Sequence, residues 1–274
     1  MKKLRLRAAV ALAVLALILI FSILAPVIAP CDPYRSDLTQ VLAAPSSEHL
    51  LGTDNIGRDL FSRILYGGRQ SIVLALAATT LSMAVGCLVG LLSGYYGGRV
   101  DAVITTVSNV FQGLPGLTLM IAVAGLMGSG MVSMLTAIVI NSWVGFSRIV
   151  RGEVMKIKQE SYIDGLRTVG AGNHRILFAH IAPNLLGTIC VVFATRVAGV
   201  VISVASLSYL GLGLQPPTPD WGVMISDARA YFRRRPLLVI APGACIVLLS
   251  LCVNILADEL RDRFDVRKDN LKNM

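Results

Sequence analysis

Apolar residues in this chain come in long blocks separated by short polar stretches, with little of the strict alternation that marks a half-buried strand. Six blocks approach the roughly 20 residues a helix needs to cross about 30 Å of hydrocarbon. They run from Ala8 to Ile28, about Ser71 to Ser93, about Ala102 to Met127, about Met131 to Phe146, about Leu185 to Leu210, and Leu237 to Ala257. A helix satisfies its own backbone hydrogen bonds in lipid, so this pattern predicts an all-α polytopic membrane protein with six transmembrane helices. Composition agrees, since 55% of the 274 residues are hydrophobic and only 15% are charged.

The polar residues set the topology. Lysine and arginine collect on the cytoplasmic side of membrane proteins, and an inside N-terminus fits best here. Lys2, Lys3, Arg5, Arg7, Arg99, Arg148, Arg151, Lys156, Lys158, Arg167, Arg175, Arg261, Arg263, Arg267, Lys268 and Lys272 then lie inside, 16 in all. Eight lie outside: Arg35, Arg58, Arg63, Arg69, Arg229, Arg233, Arg234 and Arg235. Both termini are therefore expected in the cytoplasm, with one membrane domain over 1–274, an extracytoplasmic segment at 29–70, a core at 71–258 and a cytoplasmic loop at 148–184. The net charge of +9 is mostly this topology signal, and no soluble basic domain exists to bind nucleic acid.

The basic start, apolar core and Cys31 resemble a secretory signal, but the apolar stretch is long for one and Pro30 precedes the cysteine. The segment is read as a retained first helix. Cys87, Cys190, Cys245 and Cys252 fall in expected spans and only Cys31 outside, so no disulfide framework is indicated. His49, His174 and His180 show no ligand spacing, and the expectation is no metal site. Catalytic motifs and the phosphate-cradling G-x-x-x-x-G-K-[ST] are missing, so any ATP that drives this protein binds another chain. A membrane enzyme would need a base at depth, and a self-sufficient transporter intramembrane carboxylates and repeats. The middles of the spans hold no Asp, Glu or His.

One polar island is structured. In "SYIDGLRTVGAGNHRILFAHIAPN", Ser161 and Asp164 have capping-box spacing for a short helix with Ile163, Leu166 and Val169 on one side. Gly170 and Gly172 allow a tight turn, Asn173 caps a second helix carrying Ile176, Leu177 and Ile181, and Pro183 ends it. Physics alone permits such a pair to lie in the lipid headgroup layer. Leu60, Phe61, Ile64 and Leu65 suggest an interfacial helix in the outer segment, with Arg58 and Arg63 off its apolar face. Asp54, Arg58 and Asp59 have two readings, contact with a substrate or local caps and salt bridges, and the second is the cheaper. Trp221 in "QPPTPDWGVM" reads as an interface anchor near an outer gate, and the arginine run 233–235 as a snorkelling anchor. Gly86, Gly90 and Gly94 form one smooth stripe, compatible with a dimer seam. Arg196 lies within a span and should face a cavity, a substrate or a partner.

The island resembles the EAA loop of bacterial ABC importer permeases, in which Glu-Ala-Ala is followed by a glycine and a terminal Pro-Asn. Here Asp164, Gly165 and Leu166 replace the triplet, while Gly170, Pro183 and Asn184 match. "HLLGTDNIGRDLFSRILYGGRQSI", "LSYLGLGLQPPTPDWGVMISDAR" and "NILADELRDRFD" are similar to segments of the dipeptide, oligopeptide and nickel permeases. The resemblance implies a non-catalytic subunit of the bacterial inner membrane, paired with a second homologous permease, two ATP-binding subunits that hold ATP and Mg, and an extracytoplasmic solute-binding protein. It implies no cofactor on this chain and assigns ATPase coupling to Asp164, Gly165, Leu166, Thr168, Val169, Gly170, Ala171 and Arg175. The apolar side of the short helix is expected to bury in an ATPase groove. Arg196 and Trp221 are the expected substrate-path residues, and the cargo is a small peptide, nickel or a metal chelate.

Overall fold

The computed structural model describes residues 2–264, with side chains for 6–262. Asp265, Arg267, Lys268 and Lys272 lie outside the described residues, as do the side chains of Lys2, Lys3, Arg5 and Arg263. The described chain is helical with irregular connections. Helix α1 (Lys2–Ile23) and the single turn α2 (Ala25–Ile28) lead into an outer segment with one 3₁₀ turn at Leu38–Gln40. The helices α3 (Leu60–Tyr96), α4 (Gly98–Gly113), α5 (Gly116–Met127) and α6 (Met131–Ile157) follow. Next come α7 (Ser161–Thr168), α8 (Asn173–Arg175), a π-helical stretch Ile176–Ile181, α9 (Ala182–Asn184), α10 (Leu186–Tyr209), α11 (Trp221–Ala228) and α12 (Leu237–Phe264).

Five of these helices, α1, α3, α6, α10 and α12, are long and apolar enough to cross a membrane, and the bent pair α4 and α5 brings the number to six. The third block is thus not one straight span. It turns by 92° at residues 114 and 115, where Leu114 is extended (ψ 139°) ahead of Pro115. The proline ring excludes the helical conformation from the residue before it and removes a donor, so the apolar block breaks there.

Two other boundaries differ from the expectation. No separate interfacial helix exists at residues 60–65; those residues are the first turns of α3, whose 37 residues extend ~55 Å at 1.5 Å each. Asp59 caps that start by accepting from the Ser62 N–H at 2.7 Å. The fourth block continues past Phe146 to Ile157, because a helix carrying Arg148, Arg151 and Lys156 can project from the hydrocarbon as a solvated stalk.

Glycine fixes the central packing. A Cβ added at Gly86 would stand 2.5 Å from Trp143 O, at Gly90 2.6 Å from Ser147 O, and at Gly94 2.8 Å from Arg151 O. The partners advance along α6 in step with the glycines, so α3 and α6 run parallel with backbones touching. The stripe is therefore a seam inside this chain, not one between copies. Around it Ala75, Ala78, Ala137, Ile138, Val204 and Leu207 form the main core, with no more than 0% exposure at each. Arg151 clamps α4 onto α6 through two bonds to Asp101, at 2.5 and 2.6 Å.

Helix α11 is the second correction to the outer side. Asp220 is fully buried and accepts from the N–H groups of Gly222 and Val223 at 2.9 and 3.3 Å, capping α11, and from the Ser71 hydroxyl at 2.8 Å. Burial pushes its carboxyl above the usual range while these donors oppose that shift. Trp221 is 2% exposed, lies over Gly67 and Gly68 of α3, and donates its indole N–H to Ile64 O at 3.0 Å. It packs in the interior rather than standing as an exposed interface anchor; two glycines leave the room that its ring fills.

Candidate functional site

The 161–184 unit projects from the ends of α3 and α6. Helix α7 starts without the expected cap: Glu160 holds the N-cap position, no side chain accepts there, and Asp164 instead pairs with Arg167 at 2.9 Å. Thr168 donates its hydroxyl to Asp164 O at 3.0 Å. The end of α7 is as the glycine suggests. Gly170 has φ +81°, its N–H bonds Arg167 O at 2.9 Å, and the Ala171 N–H bonds Leu166 O at 3.0 Å. This paired 5→2 and 6→1 pattern is a Schellman stop, and Leu166 and Ala171 on either side of it both pack against the second core. A Cβ on Gly170 would meet nothing within 4 Å, so backbone conformation alone calls for glycine there.

After the turn, Gly172 rather than Asn173 occupies the cap position. The Asn173 side-chain oxygen Oδ1 accepts from the Tyr95 hydroxyl at 2.8 Å, and Lys158 donates to Tyr95 O at 2.6 Å, so the last turn of α3 is bonded on both sides. The π-helical stretch lets Ile176, Leu177 and Ile181 all point inward. With Ile163, Leu185, Leu91, Tyr95, Val150 and Val154 they form a second core, separate from the first. Pro183 sits inside α9, and the chain turns into α10 one residue after Asn184.

The apolar side of α7 is consequently divided. Ile163 is buried in this chain's own second core and Leu166 is half-buried, whereas Val169 is 79% exposed and Tyr162 and Phe178 are also open. Of the side expected to bury in an outside groove, Ile163 is already covered by this chain, and Val169 is open. Asp164, Gly165, Thr168, Val169, Gly170 and Arg175 lie exposed around the same turn. Beside it, a groove of about 460 Å³ is lined by Ser93, Asp101, Lys158, Asp164 and Arg167 among others.

Arg196 lies on the exposed side of α10 with its guanidinium over α6, where a Cβ on Gly145 would stand 2.7 Å from Nη2. Arg196 thus lies against α6, whereas Trp221 lies against the first turns of α3. The outer segment hides more chemistry than spacing revealed. Arg63, expected off a solvent-facing helix, is 1% exposed; it donates to Pro33 O and Pro217 O at 3.1 and 3.3 Å and stands 3.6 Å from Asp54. Arg58 reaches Asp54 at 2.6 Å and Asp227 of α11 at 3.5 Å, in line with the expected salt bridges. Cys31, His49 and Asp59 also meet, with donor atoms within 4.8 Å of one another, a grouping that separations of 18 and 10 residues do not announce.

Residues 86–266 match the family model described as "binding-protein-dependent transport system inner membrane component", and residues 7–45 match "N-terminal TM domain of oligopeptide transport permease C". The glutathione transport system permease protein GsiD of Pectobacterium atrosepticum is 43% identical over 84% of this chain and 76% of its own length. GsiD of Escherichia coli O6:K15:H31 is 40% identical over 91% of this chain and 82% of its own. Among solved structures, a chain of the inward-facing MetNI methionine ABC transporter superposes with a TM-score of 0.59 at 14% identity, covering 73% of this chain and 95% of that one. A chain of an amino acid ABC transporter gives 0.58 at 17% identity, covering 74% and 95%. At such identity these two likenesses speak to fold alone. The sequence matches carry the family: the chain belongs to the binding-protein-dependent transport-system inner-membrane components, as a multi-pass permease subunit of an ABC importer.

Proposed function

We propose that this permease admits a small peptide of the glutathione class and that the turn at 161–171 transmits ATPase closure to its spans. The substrate reading rests on the 40–43% identity to glutathione permeases across most of the chain. The coupling reading rests on one observation: a stiff, Schellman-stopped helix presents Tyr162 and Val169 outward while Ile163 and Ile176 root it in a core shared by α3 and α6. A push on the exposed side is delivered to two spans at once. Exposed apolar side chains beside polar ones suit a docking groove, and binding there stabilises whichever span arrangement matches the closed ATPase pair.

On this reading a second homologous permease completes the path, two ATP-binding subunits hold ATP and Mg, and a solute-binding protein delivers cargo on the face of the outer segment. This chain itself binds no nucleotide. Its termini and the 148–184 loop face the cytoplasm, in keeping with the distribution of basic residues. Arg196 faces the companion permease or the path from α10.

The test is gentle purification from the native membrane followed by reconstitution and uptake of labelled glutathione, dipeptides and nickel. ATP-dependent uptake of glutathione in competition with short peptides is the expected outcome. Nickel uptake unaffected by peptides would replace the substrate reading, and uptake by the chain alone without ATP would end the coupling reading.

A further inference from the structure

We propose that Cys31, His49 and Asp59 form a binding site for a divalent transition-metal ion of the zinc class, which staples the outer segment to the start of α3. A thiolate, an imidazole and a carboxylate are the three donor types that zinc takes from proteins. Here each comes from a different stretch of the outer segment, and all three offer ligand atoms within 4.8 Å of one another. In a tetrahedral zinc site, bonds of about 2.0–2.3 Å put ligand atoms roughly 3.3–3.8 Å apart. The His49–Asp59 pair, at 2.9 Å, opens by about 0.4 Å to reach that spacing, and any separation near the 4.8 Å limit closes by about an ångström.

The backbones of the three residues are already held. The Cys31 N–H donates to Ser62 Oγ at 3.2 Å, in the same turn of α3 whose Ser62 N–H Asp59 caps at 2.7 Å. The His49 N–H donates to Ser46 Oγ at 3.0 Å, and its carbonyl accepts from the Ser46 and Gly52 N–H groups at 2.8 and 2.9 Å. His49 Nδ1 is 2.9 Å from Asp59 Oδ1, so imidazole and carboxylate are oriented toward each other before any ion arrives. A carboxylate has about four acceptor positions, which leaves Asp59 able to cap α3 and serve the ion together. The Cys31 sulfur, by contrast, has only a 4.0 Å approach to Glu48 O. Cys31 is half-buried, which gives an ion a way in, while Asp59 is 2% exposed and gives it a dry back wall.

A buried His–Asp pair with a neighbouring cysteine would also serve as plain packing, and the two readings differ in what zinc does. The experiment uses the full chain in detergent, purified through a tag without histidines, stripped with chelator and then titrated with Zn²⁺. The expected result is one zinc retained per chain, a rise in melting temperature, and at least a tenfold loss of affinity in both Cys31→Ser and His49→Gln. Alkylation of Cys31 in the unmodified chain, read by peptide mass spectrometry, should slow with Zn²⁺ and recover on chelation; this arm does not depend on either variant folding. No retained zinc, affinity unchanged by both substitutions, or a Cys31 alkylation rate indifferent to Zn²⁺ overturns the proposal.

Discussion

The outer segment and the 161–184 unit are both polar insertions in an apolar chain, yet they are built on opposite plans. In the outer segment charge is turned inward: Asp54, Arg58, Asp59 and Arg63 are all under 9% exposed and bond to one another, to backbone carbonyls and to α11. In the 161–184 unit aliphatic side chains are turned inward and charge outward, with Asp164, Arg167 and Arg175 exposed. The first arrangement is complete within the chain. The second leaves Val169, Tyr162 and Phe178 uncovered, the exposure on which the proposed docking of an ATPase subunit rests.

The comparison is broken most severely at Arg63. Arg63→Ala leaves Asp54 with Arg58 alone, takes the donor from the buried Pro33 and the exposed Pro217 carbonyls, and empties a fully buried site; an unsatisfied buried acceptor costs about 1–3 kcal/mol and the cavity adds to it. A large fall in melting temperature in detergent is expected, with Arg63→Lys recovering part of it; an unchanged melting temperature would mean the inward charges hold nothing together. Gly90→Leu should cost about 1–3 kcal/mol or more, because the added side chain meets Ser147 O at the α3–α6 seam. Lower yield of folded protein on size-exclusion chromatography is its signature.

The smallest effect on stability should accompany the largest on transport. Gly170→Val forces a β-branched residue into φ +81°, at a cost of about 1–2 kcal/mol spread over an exposed turn. The melting temperature should hardly move while ATP-driven uptake falls several-fold, and Gly170→Asn, which tolerates that conformation, should restore much of it. Val169→Asp sharpens the same point: stability equal to the parent chain, with ATPase activity no longer stimulated by substrate. Full uptake by either variant would return the turn to the status of an ordinary loop.

Much of this plan was legible in the residues, and the exceptions share a cause. The spans follow from apolar blocks, and Gly170 from its place after a helix, where the backbone takes a φ that side-chain-bearing residues rarely adopt. Pro115 was passed over because it sits in so apolar a block that hydropathy bridges it. Helical periodicity assigns Arg63 to the wet side, whereas here the loop before α11 and the 29–59 segment cover that side with acceptors. Trp221 mimicked a belt aromatic by following prolines beside a span. The Cys31, His49 and Asp59 grouping depends on how the outer segment folds back on itself, which no spacing rule encodes.

The bend between α4 and α5 has a bearing on where water goes. Hydrocarbon supplies no hydrogen bonds, so backbone freed from a helix at membrane depth is tolerated only against protein or water. The break at residues 114 and 115 lies ~24 Å along from the start of α4, counting 16 residues at 1.5 Å each, and Leu114 there is 48% exposed. Asn141 of α6 stands beside it, its side-chain oxygen 2.8 Å from where a Cβ on Gly116 would be. On that principle, the side of the subunit that carries the kink is expected to meet water or another protein rather than lipid, which would separate it from the faces that meet the bilayer.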